Sequence, residues 1–177
     1  FDNPDGEDEA FPPGGGMRRN PLNTMVRYLT GSDGRPPWPD HVAVVQAKPA
    51  ARVNGERMVV TWVGHATFLI QTQGLNILTD PIWSDTSGPW GLGPKRVAVP
   101  GIRFEDLPKI DAVVVSHNHY DHMDLVTLKR LCDRDQPQLV VSLGNDKVIG
   151  DRCVRIASLD WGGHQPISDP RCPPKAP

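Results

Sequence analysis

The sequence is poor in cysteine. Cys132, Cys153 and Cys172 are odd in number and widely spaced among 177 residues. That pattern supports neither a disulfide framework nor a thiolate metal site, and it leaves the three as buried free thiols. No apolar stretch approaches the roughly 18 residues of a membrane-spanning helix, so a membrane span is not expected, although peripheral membrane contact stays open. Surplus basic charge is also missing. With 19 Lys and Arg against 21 Asp and Glu, the formal net charge is -2, and nothing resembles the field that draws a protein to a phosphate backbone. Nucleic acid is therefore not an expected partner. The chain begins at Phe1 without a signal-peptide pattern, and the compartment stays open, with cytoplasm favoured over periplasm or a membrane surface. What is present, 38% apolar and 23% charged residues, fits one ordinary globular domain.

Proline and glycine divide the chain. Residues 1–55 contain "FPPGGGMRRNP" and "GRPPWPDH" and read as an extended arm with a short helix near 23–29, anchored by Trp38. From 56 to 161 the character changes. "ERMVVTWVG", "ATFLIQTQG" and "LNILTDP" read as a three-strand meander, followed by a long loop from Ser84 to Pro108. "IDAVVVS" has the continuous apolar run of a strand buried on both faces. Asp124 can cap a helix, "LVTLKRLC", whose Leu125, Leu128 and Leu131 recur at helical spacing. "PQLVVSLG" gives another strand, and "NDKVIGDRCVRIASLD" a short helix, a turn and a strand. The order, strands first and then strand alternating with helix, predicts an α/β fold with its site at strand ends. Residues 162–177 form an irregular Pro-rich tail.

Histidine is scarce, yet three of six fall in "HNHYDH", where the buried strand stops. Side chains alternate in an extended segment, so His117, His119 and Asp121 share one side, and a turn before the helix can bring His122 beside them. Imidazole and carboxylate donors without thiolate suit zinc, with iron, manganese or nickel open to the same set, and argue against a structural zinc finger. Crowding between neighbouring side chains makes two ions simpler than one. His41 reads as a surface residue, and His65 can serve simply as a turn residue. Lys95 and Arg96 in "GPKR" can meet an anionic head group or lie in a solvated loop.

"HNHYDH" resembles the His-x-His-x-Asp-His motif of the metallo-β-lactamase superfamily. "TWVGHATFLI", "ILTDPIWS", "GPKR", "PGIRFEDLPKIDAVVVSHNHYDHMD" and "LGN" further resemble its branch of N-acylphosphatidylethanolamine-hydrolysing phospholipases D. The likeness runs from about Met58 to Trp161. It implies an αβ/βα sandwich with two zinc ions at one edge, the first held by His117 and His119, the second by Asp121 and His122. Asp121 would also orient the attacking water. Asp80 would orient the ligand loop from behind, with His65 nearby but not a ligand. The implied reaction is hydrolysis of a phosphodiester, by resemblance of an N-acylated phospholipid to an N-acylethanolamine and phosphatidic acid.

The family completes its centre with further ligands from a C-terminal half, whereas after His122 this chain has only His164, to which no role is carried over. The likeness stops after "SLDW", in the manner of a truncated or frame-shifted end. The expected fold is therefore the N-terminal half of the sandwich, with one sheet face lacking a partner and prone to association, including dimers. The other functions the sequence leaves open are a related lactone or small phosphate-ester hydrolase and a non-catalytic metal-binding or dimerising fragment.

Overall fold

The computed structural model describes Val26, Thr30, residues 39–88, Gly91 and residues 93–167. Two compact units divide the chain, Phe1–His41 and Val42–Pro177. In the first, Val26 and Thr30 have helical backbone, and the Thr30 hydroxyl donates to the Val26 carbonyl at 2.8 Å. Most of the helix expected at 23–29, Trp38 and the last residues of the Pro-rich tail lie outside the described residues.

The second unit is built on one six-stranded sheet whose spatial order is its sequence order: β1 (Met58–Gly64), β2 (Thr67–Thr72), β3 (Leu75–Thr79), β4 (Ala112–Val115), β5 (Gln138–Ser142) and β6 (Ile156–Leu159). The first three strands are antiparallel, and β3 to β6 run parallel. Between β2 and β3, Gln73 and Gly74 both take positive φ, 48° and 77°, and Thr72 pairs with Leu75 across them. That is the two-residue turn whose twist matches a hairpin, and glycine suits its second position. The parallel strands need longer crossovers. These are the loop 80–111, helix α1 (Leu125–Asp135), and helix α2 (Asn145–Ile149) with a 3₁₀ turn at Gly150–Arg152.

Helix α1 starts where its sequence allows. The Asp124 carboxylate accepts from the Val126 and Thr127 amides, and the helix ends at Gln136 in left-handed backbone. Its Leu128 and Leu131 are fully buried and Leu125 packs at the margin, so the expected stripe is the one used. They meet Leu69, Leu78, Val113, Val115, Leu139 and Val141 from alternate positions of the strands. Each buried aliphatic side chain contributes about 1.5–3 kcal/mol by transfer from water. Phe104 closes the core margin, edge-on to Trp83 with the Arg130 guanidinium 3.8 Å above its ring.

One expectation needs revision. Cys132 is not a free thiol: it is disulfide-bonded to Cys153, across 21 residues, with Cα atoms 5.4 Å apart. Packing of α1 against the 3₁₀ turn brings the two together, and wide sequence spacing hid that proximity. Cys172 lies outside the described residues. The segment 42–55, expected within the extended arm, lies in the second compact unit. Val42 donates to the Val97 carbonyl, Ala47 to that of Gly101, and Arg52 forms a bidentate pair with Asp111. Asp111 also accepts from the Asn76 amide, and the Asn76 and Gln71 side chains donate to the carbonyls of Ala51 and Ala50. A buried polar network of this kind is stable only with its groups satisfied, and here they are.

Among the described residues, the sheet face opposite the core is partly exposed. Met58, Val60 and Trp62 on β1 are 64%, 50% and 64% exposed, and Trp62, Phe68, Thr79, Val114 and Val140 form one cross-strand row. The sequence predicts this face for half a sandwich. Beside it, the Gly101 amide donates to the Val63 carbonyl at 2.6 Å, and a Cβ on Gly101 would stand 2.9 Å from the Trp62 carbonyl oxygen. Gly101→Ala is expected to cost about 1–3 kcal/mol by overpacking against backbone. The check is urea unfolding, with a lower midpoint at unchanged slope.

Candidate metal centre

Topology gathers the site. Strands β3 and β4 are parallel neighbours, so their C-terminal ends lie side by side, and Phe68 at the start of β2 pairs with Thr79 at the end of β3. The β1–β2 turn with His65, the residue after β3, Asp80, and the loop after β4, residues 116–124, therefore share one edge. Parallel sheets place their sites at this edge because loops of different strands converge there.

Asp80 organises the edge. It is buried, in left-handed backbone with φ 36°. Its amide donates to the Val114 carbonyl at 2.9 Å and its carbonyl accepts from the Thr67 hydroxyl at 2.7 Å. One carboxylate oxygen accepts from the Ser116 amide at 2.7 Å, and the other from the Ser116 hydroxyl at 2.8 Å. That second oxygen also lies 3.0 Å from His122 Nδ1. A carboxylate only accepts here, so His122 Nδ1 carries a proton, and in the neutral ring Nε2 is the nitrogen left to ligate. The same logic passes along the loop. The Ser116 proton is committed to Asp80, so at 2.9 Å His117 Nδ1 donates to the Ser116 oxygen, and in the neutral ring Nε2 is then the lone-pair nitrogen. Both rings are thus held in the form that ligates a cation.

The remaining residues complete a cluster. His117 Nε2 and His119 Nδ1 are 3.0 Å apart, a separation met by a hydrogen bond or by a shared ion with bonds of about 2.0–2.1 Å. The amides of His122 and Met123 both donate to the His119 carbonyl, forming the turn that brings His122 round. The His117 and His122 rings lie 4.1 Å apart. Asp121 Oδ2 stands 2.9 Å from His65 Nε2 and 3.7 Å from His122 Nε2. Partial burial acts to raise the Asp121 pKa, but its backbone hydrogen bond and the neighbouring His122 and His65 outweigh that, and the carboxyl titrates below its ordinary range. Among the described residues, His65, Asp121 and His122 offer ligand atoms within 4.8 Å of one another. Nitrogen and oxygen donors without thiolate fit a borderline to hard divalent ion.

All six residues singled out in the sequence, His65, Asp80, His117, His119, Asp121 and His122, stand at this edge. His41 and His164 are exposed. Arg96 has turned inward. Its guanidinium donates to the Ile82 carbonyl at 3.0 Å, which pins the loop rather than offering a free cation, while Lys95 is exposed. Sequence reasoning passed over Ser116, whose signal was its place between a buried strand and the first histidine.

Residues 59–170 match the family model described as a beta-lactamase superfamily domain. An uncharacterized protein of Mycobacterium tuberculosis is 40% identical over 114 residues, covering 62% of this chain and 31% of that protein. The N-acyl-phosphatidylethanolamine-hydrolyzing phospholipase D 1 of Caenorhabditis elegans is 39% identical over 114 residues, covering 59% of this chain and 32% of that one. The solved structure of CmlA, a diiron beta-hydroxylase from Streptomyces venezuelae, aligns with a TM-score of 0.47 and 26% identity over 65% of this chain and 23% of that one. The chain thus spans about a third of the length of the curated relatives it matches. With its family model matching well over half of the sequence, the chain belongs to the beta-lactamase superfamily.

Proposed function

We propose that this chain carries the motif half of a two-zinc phosphodiesterase centre acting on an N-acylated phospholipid. The observation that carries the reading is the relay His122–Asp80–Ser116–His117, which fixes two imidazoles with Nε2 free at the sheet edge. The 39% identity to a phospholipase D of named lipid specificity supports the substrate class. His117 and His119 would hold one ion, and Asp121 with His122 the other. When bound, divalent ions supply Lewis-acid chemistry, acidifying water and polarising a phosphoryl oxygen. Asp121, held below its ordinary pKa, accepts a hydrogen bond from the attacking water and orients it. Asp80 and Ser116 keep His122 and His117 in the ligating tautomer. In the net reaction the water oxygen bonds to phosphorus, the bond from phosphorus to the N-acylethanolamine oxygen breaks, and a proton passes to that oxygen.

The test is metal content by elemental analysis together with hydrolysis of bis-p-nitrophenyl phosphate and of N-acylphosphatidylethanolamine. The expected result is about two zinc equivalents per chain with turnover, both lost on His117→Ala with His119→Ala. A chain that takes up no metal overturns the reading. Metal uptake without turnover instead assigns this chain a metal-binding role.

A further inference from the structure

The Cys132–Cys153 disulfide borders a cleft that the metal centre does not use. Gln136 and Pro137, which lead into β5, and Val154 and Arg155, which lead into β6, line this cleft of about 280 Å³. The two strands are parallel, so the cleft opens at their N-terminal ends, opposite the metal edge. Cys132 lines it as well. Cys153 Sγ instead lies 3.8 Å from the Leu128 carbonyl oxygen, on the helix side.

The bond sits at the margin of the core. Cys132 is 7% exposed and Cys153 6%, against 0% for Leu128, Leu131 and Ile149 beside them. A disulfide opens when a thiolate reaches one of its sulfurs, so access decides which bonds are labile and which sulfur is attacked. Here access favours Cys132. The cleft is just under the usual span of small-molecule sites, about 300–1,000 Å³, a size that suits a low-mass thiol better than a protein one.

Charge narrows the class of thiol. Of the ionic groups on the walls, Asp133 is engaged by Lys129 at 2.5 Å, and Arg152 donates to the Ile149 carbonyl at 2.9 Å. Among the described residues, the Asp151 carboxylate and the Arg155 guanidinium have no hydrogen-bond or ion-pair partner. One unspent anion and one unspent cation match the ammonium and carboxylate of an amino-acid thiol.

We infer that Cys132 is a thiol-exchange site, at which a zwitterionic low-mass thiol of the cysteine or glutathione type opens the Cys132–Cys153 bond from the cleft. The reagent's thiol gives its proton to solvent and its sulfur bonds to Cys132 Sγ. The bond to Cys153 Sγ breaks, and its electron pair leaves on Cys153, which takes up a proton. No other oxidant or reductant enters. The product is a mixed disulfide at Cys132 and a free thiol at Cys153, and attack by that thiol restores the original bond. While the bond is open, α1 has no covalent tie to the turn after α2.

The experiment treats the whole native chain with glutathione, quenches samples at intervals with N-ethylmaleimide, and maps them by tryptic mass spectrometry. Trypsin releases Cys132 in LCDR, Cys153 in CVR and Cys172 in CPPK, so each sulfur is read separately. Glutathione on LCDR with maleimide on CVR is the expected result. The reverse pattern overturns the inference, as does a bond that opens only in urea or a chain isolated with both thiols free. Asp151→Asn and Arg155→Gln, both at exposed positions, test the recognition. Each should slow opening by glutathione about two- to fivefold, the equivalent of one exposed ion pair, and leave opening by uncharged 2-mercaptoethanol unchanged. Equal slowing with both reagents, or with neither, overturns the assignment of a zwitterionic thiol.

Discussion

Asp80→Ala is expected to reduce metal affinity by about 10- to 100-fold and to lower stability by about 1–3 kcal/mol, the two effects having separate origins. The stability loss comes from the Ser116 amide, which donates to Asp80 in a part-buried position and would lose that acceptor. The affinity loss comes from the tautomers. Without the carboxylate, nothing fixes the proton of His122 on Nδ1, and the Ser116 hydroxyl that holds His117 is released to rotate. Asp80→Asn separates the two. An amide oxygen can still accept from the Ser116 N–H, so the fold should hold, but an amide nitrogen donates and would favour the wrong His122 tautomer. Isothermal titration with zinc, beside urea unfolding of the metal-free chain, checks both. An asparagine variant that binds zinc as the parent does would reduce Asp80 to a structural residue.

The second large effect is expected at Asp124, whose carboxylate does more than cap α1. One oxygen accepts from the Val126 and Thr127 amides, and the other accepts from the Thr127 hydroxyl at 2.6 Å and from the Ser84 amide at 3.0 Å. It therefore ties the loop after β3 to the helix after β4, directly behind the metal edge. Asp124→Ala should cost about 2–4 kcal/mol, as the loss of a cap together with a buried hydrogen-bond network. The pH dependence follows from the same contacts. Burial acts to raise the Asp124 pKa, but the hydrogen bonds from Thr127 and Ser84 outweigh it and the folded value lies below the ordinary one. Below about pH 3.9 the unfolded chain then binds the extra proton. The stabilisation is thus complete above that pH and is lost as pH falls through the lower folded pKa. Urea midpoints from pH 7 to pH 2 for the parent and for Asp124→Asn should converge toward the acid end. A constant gap would show that the carboxylate's charge contributes nothing.

Much of this was legible in the sequence, for physical reasons. β-Branched runs separated by Gln73-Gly74 can hardly avoid a hairpin, and Asp124 before a leucine stripe marks a helix start. The cluster was legible because His117, His119, Asp121 and His122 are local, so spacing alone brings them near one another. What escaped depended on contacts distant in sequence. Cys132 and Cys153 pair only because α1 packs on the turn after α2. Arg52 falls in the Pro/Gly-rich extended arm, and its bidentate partner Asp111 is 59 residues away. Arg96 seemed free to meet a head group, yet its donors are used by carbonyls at 82 and 84. The approach of His65 to Asp121 rests on a left-handed turn, which a Gly-His pair permits but does not announce.

The sheet's order has a consequence for how the chain is made. Since each strand lies beside the one synthesised just before it, every strand leaving the ribosome finds its pairing edge already formed. No later segment has to be threaded between two earlier ones. All six residues at the metal edge precede α1, so by the time β5 emerges to cover β4 the cluster is already assembled. During translation a metal ion could thus meet its ligands well before the last strand of the sheet is in place.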